Sequence, residues 1–143
     1  MKEKCQMTIS YKLDAWALNP TRAYATDAGF DLYTPFQEYV PAHGMAFIDT
    51  GVHFNIPAGW RAMLYSKSGL MAKGITCRGL IDAGYTGSVK VVLFNHTDYT
   101  YTFESGDKIT QIIFEENPEI ELECTDVIET TERGANGFGS TGE

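Results

Sequence analysis

Apolar and polar positions alternate with a period of two over two stretches of this chain. Residues 119–124 alternate glutamate with Ile, Leu and Cys, and residues 99–103 alternate Tyr or Phe with Thr. A period of two is typical of half-buried β-strands, because successive side chains of a strand point to opposite faces of the sheet. Both stretches therefore predict antiparallel strands.

Further runs of β-forming residues, each bounded by Gly, Pro, Asn or Asp, predict additional strands. They cover residues 8–13, 45–48, 52–56, 61–65, 89–94 and 109–114. Only residues 68–73 predict a helical turn, because good helix formers there follow a serine that could cap the turn and precede Gly74. Many short strands with one short helix predict an all-β sandwich or jelly roll.

The size and composition of the chain fit one ordinary domain. Its 143 residues can bury a core without disulfides. No apolar run approaches the roughly 20 residues that span a bilayer, which predicts no membrane partner. The polar start lacks the apolar region of a secretory signal, so we expect a cytoplasmic protein. Cys5, Cys77 and Cys124 have no paired spacing, which predicts free thiols rather than a disulfide framework.

The formal net charge of -8 limits the kinds of partner. It opposes a phosphate backbone, so a nucleic-acid polymer is not an expected partner. A small phosphorylated ligand stays compatible, because it needs only a few donors and can bring magnesium with it. His43, His53 and His96 lack the spacing of a paired metal motif or a catalytic triad.

A glycine-rich tail, residues 133–143, follows the strand-rich residues 1–132. Four glycines lie within residues 133–142, so the tail should be mobile when empty. Arg133 offers a bidentate guanidinium, the hydroxyls and N–H groups of residues 139–142 could cradle a polyphosphate, and Phe138 could stack on a base. A frayed terminus explains the composition equally well, and both interpretations stay open here.

Two internal segments combine glycine with residues that can contact an anion or move a proton. Residues 66–70, Ser-Lys-Ser-Gly-Leu, begin the predicted helical turn and could bind an anion, although an ordinary capped helix fits as well. Residues 79–87 place Asp82 and Tyr85 between glycines that permit close approach of a ligand. Asp82 could be a general base, or it could only begin an Asx turn.

Asp31 and Gln111 add a carboxylate and an amide to predicted strands. Asp31 interrupts an apolar, β-rich segment, so it should meet a basic side chain, another cation or a metal-bound water. A structural ion pair is equally compatible. Gln111 follows a predicted tight turn and could donate to a phosphate oxygen, although the segment alone is an ordinary hairpin.

Taken in order, AGFDL, SKSGL, GLIDAGYTG, GDKITQ and RGANGFGSTG resemble the five motifs of the trimeric dUTP pyrophosphatases, the dUTPases. They span residues 28–142. The resemblance implies a jelly-roll subunit with a mobile C-terminal arm and a homotrimer. One chain would give the first, second and fourth motifs to each active site, a second chain the third, and the last its tail. It also implies hydrolysis of dUTP to dUMP and pyrophosphate with Mg²⁺, which keeps uracil out of DNA and supplies dUMP for dTMP synthesis.

The resemblance also implies a role for individual residues. Asp82 would activate the water that attacks the α-phosphorus, and Tyr85 would pack under the deoxyribose. Asp31 would orient the second motif and a magnesium-bound water, while the three phosphates hold the metal directly. A hairpin at residues 74–80 would read the uracil. The other residues expected to contact substrate are Ser68, Gly69, Lys67, Cys77, Leu80, Gln111, Arg133, Phe138, Gly139, Ser140 and Thr141.

Two features depart from the family pattern. Lys67 stands where the family usually has Arg, and a lysine cannot reproduce the planar fork of a guanidinium. The hairpin at residues 74–80 is short and contains no Asn, so Thr76, Cys77 or Arg78 would shape the base pocket.

Two alternative functions share the implied fold. A dCTP deaminase needs a glutamate on the strand after the third motif, where this chain has Val92, which cannot transfer protons. A nucleotide-binding regulatory protein would keep the fold with hydrolysis secondary or lost. The joint presence of Asp82, Tyr85, Gln111 and the tail argues against an inactive protein.

Overall fold

The computed structural model describes residues 7–139, which form eleven β-strands and one four-residue helix. The strands in chain order are Tyr11–Leu13 (β1), Phe30–Tyr33 (β2), Glu38–Val40 (β3), Met45–Asp49 (β4), Val52–Phe54 (β5), Trp60–Tyr65 (β6), Ile75–Thr76 (β7), Arg78–Ile81 (β8), Lys90–Asn95 (β9), Tyr101–Phe103 (β10) and Lys108–Glu116 (β11). The helix, Ser68–Met71 (α1), lies between β6 and β7. The prediction of an all-β subunit with one short helix is confirmed.

The strands pair in antiparallel fashion and form two main sheets and two small ones. The larger main sheet has the order β2-β11-β6-β8, and the other has the order β4-β9-β7. Two-stranded sheets join β1 to β5 and β3 to β10. The chain crosses repeatedly between sheets. As a result β11, near the end of the chain, lies between β2 and β6.

One apolar core is built from the inward positions of these strands. In β9, for example, Val91 and Leu93 are buried while Lys90 and Phe94 are exposed, which follows the period of two. β-branched and aromatic residues suit such half-buried pleated surfaces. Further fully buried members are Leu32, Val40, Ile48, Val52, Ile75, Phe103, Ile109 and Ile112.

One of the two strands predicted from strict alternation is wrong. Residues 99–103 contain β10, as predicted, but residues 119–124 form no strand. Ile120 and Leu122 are 71% and 97% exposed. Alternation marks a segment that could cover an apolar surface, whereas a strand also needs a partner, and this segment pairs with none of the described strands.

The helix begins one residue after an unusual cap. Lys67 occupies the N-cap position in an extended conformation and makes no side-chain capping bond. The prediction that a serine caps the turn is therefore wrong, since Ser68 is the first helical residue. Gly74, with a φ of 82°, follows the helix in a conformation that favours glycine.

The segment 74–81 is not the predicted hairpin. β7 pairs with β9 in one main sheet, whereas β8 pairs with β6 in the other. Cys77 lies between the two strands, and both its N–H and its carbonyl bond to the Ser66 hydroxyl at 2.9 Å. These bonds satisfy the backbone at the crossing, so no strand-to-strand turn is needed. The segment therefore passes from one main sheet to the other.

Over residues 7–139, no helix is both long enough and apolar enough to cross a membrane.

Candidate active site

Asp31 lies at the centre of a cluster of opposite charges. Its side chain on β2 is only 12% exposed. The Lys67 ammonium contacts Oδ1, and the Lys108 ammonium lies 3.5 Å from Oδ2. A carboxylate so far removed from water requires such partners. Of the partners predicted for Asp31, a basic side chain is therefore the one that this chain provides by itself.

Gln111 lies directly beside this cluster. In the pairing of β2 with β11 it is opposite Asp31, and in the pairing of β6 with β11 it is opposite Tyr65. Its side-chain amide donates to the carbonyl of Ser66 at 3.2 Å. Gln111 thus links the fourth motif to the backbone of the second.

The first turn of α1 presents an open surface next to these residues. Ser68 and Gly69 are exposed, and a Cβ placed on Gly69 would meet no atom within 4 Å. The backbone can consequently be approached closely from outside. Together with Lys67 and Gln111, this turn offers N–H, hydroxyl, ammonium and amide donors to an anion.

Cys77 joins the same region from the crossing segment. Its thiol lies 3.2 Å from the Thr110 hydroxyl. Burial raises the pKa of Cys77 above its ordinary value, and the bonds to Thr110 and Ser66 only partly oppose this effect. Cys77 is therefore a neutral packing group. A cavity of about 500 Å³ lies beside it, and its lining includes Tyr65, Ser66, Met71, Arg78, Gln111 and Glu115.

Asp82 and Tyr85 lie together in a second, separate cavity. This cavity of about 290 Å³ is lined by Phe47, Leu80, Ile81, Asp82, Tyr85, Val89 and Lys90. The Tyr85 hydroxyl donates to the Ser88 carbonyl at 2.9 Å, and Asp82 is exposed. The Tyr85 N–H bonds to the main-chain oxygen of Asp82 at 3.2 Å, which leaves the carboxylate accessible. The cavity also has an apolar wall, formed by Phe47 and Leu80, and a positive charge from Lys90.

The two cavities lie at different ends of the same pair of strands. Tyr65 is opposite Arg78 where β6 leads into the second motif, whereas Ala62 is opposite Ile81 just before Asp82. At about 3.3 Å per residue, the three-residue separation along β6 is roughly 10 Å. One chain therefore does not bring Asp82 to Lys67 and Gln111.

None of the tail residues 133–139 lines either cavity. The Arg133 guanidinium Nε donates to the carbonyl of Asn136 at 2.9 Å, within the tail itself. Phe138 is fully exposed, and its φ of 51° is the left-handed region that non-glycine residues rarely adopt. Gly139 is exposed as well. The predicted contacts of Ser140 and Thr141 lie outside the described residues.

His53, which its sequence spacing did not single out, contacts the turn that carries Asp82 and Tyr85. Its Nδ1 lies 2.8 Å from the Thr86 carbonyl, and its Nε2 lies 3.1 Å from Asp14 Oδ1. The bond to the Thr86 carbonyl, and next the bond to Asp14, raise the pKa of His53 above 6.5. No signal in the sequence could reveal this link, because it joins three distant segments. Lys108, in the fourth motif, is a second contact of Asp31 that the motif pattern does not indicate.

The donor set fits a metal ion only when a ligand contributes most of its bonds. Among residues 7–139, no group of three or more His, Cys, Asp or Glu side chains gathers at one point. Asp31 is already paired with two ammonium groups. Magnesium commonly keeps several waters and binds through one or two carboxylates plus phosphates. A metal carried by a polyphosphate therefore fits these residues better than one held by the protein alone.

This chain is similar to known proteins of the dUTPase family. The family model described as dUTPase matches residues 16–142. The deoxyuridine 5'-triphosphate nucleotidohydrolase of Candida albicans is 41% identical, over 99% of this chain and 94% of its own. The mitochondrial protein of that name from Dictyostelium discoideum is 43% identical, over 92% of this chain and 74% of its own.

Two solved structures have similar folds. The dUTPase of Staphylococcus bacteriophage 80alpha with dUPNHPP gives a TM-score of 0.89 at 29% identity, covering 96% of this chain and 100% of that one. Its description adds that phage dUTPases control transfer of virulence genes. A mutant dUTPase from phage phi11 of S. aureus, which coordinates a structural Mg(II) ion, gives 0.80 at 26% identity, covering 87% of this chain and 100% of that one.

Proposed function

This chain belongs to the dUTPase family, and we propose that it hydrolyses dUTP to dUMP and pyrophosphate at a site shared between subunits. The family match over residues 16–142 and the relatives at about 40% identity support the reaction. The jelly-roll fold is the one found in the dUTPase structures that resemble it. A dCTP deaminase is disfavoured by Val92, which offers no group for proton transfer.

The observation that carries the proposal is the separation of the two cavities. Asp82 and Tyr85 line one, while Gln111 lines the other, next to Lys67. Neither set is sufficient, since phosphate binding and water activation must occur within a few ångströms of each other. A homotrimer would join the first, second and fourth motifs of one chain to the third motif of its neighbour.

The apolar surface of the single chain supports assembly. A groove of about 700 Å³ is lined mainly by apolar residues, including Met7, Tyr11, Phe30, Phe54, Trp60 and Phe114. The outer face of β4 and β9 exposes Met45, Phe47 and Phe94. Surfaces of this kind are typically covered by a partner. A homotrimer would have a mass of about three times 15.9 kDa, which light scattering can measure.

The proposed reaction is an attack of water on the α-phosphorus. The Asp82 carboxylate accepts a proton from the water while the water oxygen forms a bond to the α-phosphorus. The bond from the α-phosphorus to the bridging oxygen breaks, and pyrophosphate leaves. The exposed position of Asp82 leaves its carboxylate free to meet the water. Tyr85, anchored through Ser88, would pack under the deoxyribose and exclude a ribose 2′-hydroxyl.

The phosphate chain would bind at the start of α1. Ser68 and Gly69 would donate to its oxygens from the exposed turn, and the Gln111 amide lies beside them. Lys67 and Lys108 would contribute positive charge, which counters the charge that develops on the phosphates. Bound Mg²⁺ supplies Lewis-acid stabilisation of that charge, and Asp31 would hold one of its waters.

The base would be recognised where the chain crosses between the main sheets. Leu80 is exposed and lines the cavity of Asp82 and Tyr85, whereas Cys77 is buried and fixes the crossing backbone. Backbone groups held in this way can accept and donate in a fixed pattern, and that pattern can distinguish uracil from cytosine. A narrow opening would exclude the 5-methyl group of thymine.

The tail would close over the bound nucleotide. Arg133 and Gly139, with Ser140 and Thr141, would contact the γ-phosphate, and Phe138 would stack on the uracil. The complete exposure of Phe138 supports this role, because an aromatic side chain in water gains apolar contact when a partner arrives. Closure would exclude bulk water from the reacting phosphorus.

The proposal is tested with the pure protein and magnesium. Release of pyrophosphate and monophosphate is measured with dUTP, dTTP, dCTP and UTP at equal concentrations. Rapid release from dUTP alone is the expected result. No release from any of them would instead favour the regulatory alternative, a nucleotide-binding protein of the same fold, as suggested by the virulence-gene control attributed to phage relatives.

A further inference from the structure

His53 joins the predicted catalytic turn to a loop near the start of the described chain. The residue lies on β5, and its ring nitrogens approach the Thr86 carbonyl at 2.8 Å and Asp14 Oδ1 at 3.1 Å. Thr86 directly follows Tyr85, and Asp14 directly follows β1. One imidazole ring therefore spans the space between these two segments.

The chemistry of the two partners determines the protonation state that this geometry needs. A main-chain carbonyl oxygen can only accept a hydrogen bond, and an ionised carboxylate can only accept as well. A neutral imidazole has a single N–H and can satisfy only one of the two. Both contacts are hydrogen bonds only when the ring carries two protons and a positive charge.

The groups around the ring favour this charged state. Two charged side chains face it: Asp14 from the loop after β1, and Lys12, its direct partner in the pairing of β1 with β5. The bonds to Thr86 and Asp14 raise the pKa of His53, while partial burial and Lys12 act in the opposite direction. The side chains of His53 and Asp14 are 27% and 34% exposed, so water screens but does not replace these contacts.

We propose that His53 is a positioning residue that holds the turn carrying Asp82 and Tyr85 in its working geometry only while the ring is doubly protonated. The inference rests on the proposed dUTP hydrolysis and adds a pH-dependent control of the same site. The contribution is fully present below the ordinary pKa of about 6.5 and is lost as the pH rises through the higher pKa of the folded protein.

The turn has other anchors, so loss of the proton loosens it without unfolding it. The Gly84 N–H bonds to the Ile56 carbonyl at 3.3 Å, and the Tyr85 hydroxyl bonds to Ser88 at 2.9 Å. Neither bond involves the imidazole, so both remain when His53 loses its proton. The effect of His53 should therefore appear in the kinetics with dUTP rather than in the fold.

The test compares kcat/KM for dUTP between about pH 6 and pH 9 in the full-length wild-type protein and in His53→Gln. The amide of Gln keeps a donor but cannot titrate. One hydrogen bond typically changes a rate by a factor of about three to ten, so we expect the wild type to exceed the variant by that factor at pH 6. The ratio should fall to about one at the alkaline end.

Two further variants separate this role from a general effect of histidine. Asp14→Asn removes a carboxylate that raises the His53 pKa. The decline of kcat/KM with rising pH should therefore begin at a lower pH in this variant than in the wild type. His43→Asn is the matched control, because His43 also pairs with an aspartate, Asp98, at 2.6 Å, on an exposed turn away from the cavity. Asn also tolerates the φ of 53° at this position. Its pH profile should equal that of the wild type.

Nuclear magnetic resonance of the wild-type protein gives an independent measurement. The His53 ring protons should titrate with a pKa above the ordinary histidine value of about 6.5. A His53 pKa at or below 6.5, or a wild-type to variant ratio that stays constant with pH, would overturn the inference. Absence of dUTP hydrolysis by the wild type at every pH would count against the proposed function, while the His53 titration would still test the hydrogen-bond geometry.

Discussion

Asp31 and Gln111 are direct partners across the antiparallel pairing of β2 with β11. Directly opposite residues place their side chains on the same face of a sheet. Asp31 contacts Lys67, and Gln111 contacts the carbonyl of the preceding Ser66. The first and fourth motifs thereby hold the second in position before any ligand binds. Such preorganisation reduces the entropy that substrate binding must overcome.

Asp82→Asn should abolish hydrolysis while it preserves binding. The amide keeps the size of the side chain but cannot accept a proton from water at neutral pH, so turnover should fall at least about 100-fold. Affinity for a non-hydrolysable dUTP analogue, measured by calorimetry, should stay within about twofold. Asp126→Asn, at an exposed position in the tail-proximal segment, is the control. Turnover that survived in Asp82→Asn would remove Asp82 from the proposed role.

A chain that ends after Glu132 should assemble normally but react slowly. Residues 133–139 make their described side-chain contact within the tail, so the body of the subunit should keep its melting temperature. Loss of closure should lower kcat/KM by about 100-fold or more. Size-exclusion chromatography and steady-state kinetics measure the two effects. Equal rates for the two chains would mean that the tail is only a frayed terminus.

Lys67→Ala should weaken both the fold and substrate binding. Asp31, 12% exposed, would keep only the more distant Lys108. Because Lys67 is itself 28% exposed, we expect a loss of about 1–2 kcal/mol in the free energy of unfolding, less than for a fully buried pair. KM for dUTP should rise. Lys67→Arg should restore both quantities, and Lys73→Ala is a surface control. Chemical denaturation that left Lys67→Ala unchanged would show that the ion pair contributes nothing.

Cys77 should resist alkylation in the folded protein. Burial raises its pKa, so the reactive thiolate is scarce at pH values near 8, and the reagent also lacks access. Cys124 is exposed and should react at least about tenfold faster. Mass spectrometry of iodoacetamide-treated peptides distinguishes the two sites. In denaturant both should react at similar rates, and equal rates in the native protein would contradict the burial of Cys77.

Local sequence patterns were sufficient for most strands. Segments such as residues 109–114 and 89–94 lie within β11 and β9 apart from single end residues, because an apolar run with turn residues at its ends has few other ways to be buried. The five motifs likewise identified most candidate residues, since each is contiguous in sequence. The meeting of the first, second and fourth motifs around β11 could be expected only from the family resemblance.

The failures have a common physical cause, which is the choice of partner. Residues 119–124 have the period of a strand, but pairing depends on a surface that no local pattern specifies. Residues 74–81 contain two strands that pair with different sheets, and the Ser66 hydroxyl satisfies the backbone between them. The link from His53 to Thr86 also depends on the tertiary fold.

The crossing at Cys77 would place the proposed base recognition under the same selection as folding. An exposed loop can lengthen or change in descendant sequences without disturbing the sheets around it. Residues 75–81 lack that freedom, because they pair with β9 on one side and with β6 on the other. A substitution there that altered nucleotide preference would first have to preserve both pairings. Inheritance of the proposed uracil preference would thus be tied to inheritance of the framework itself.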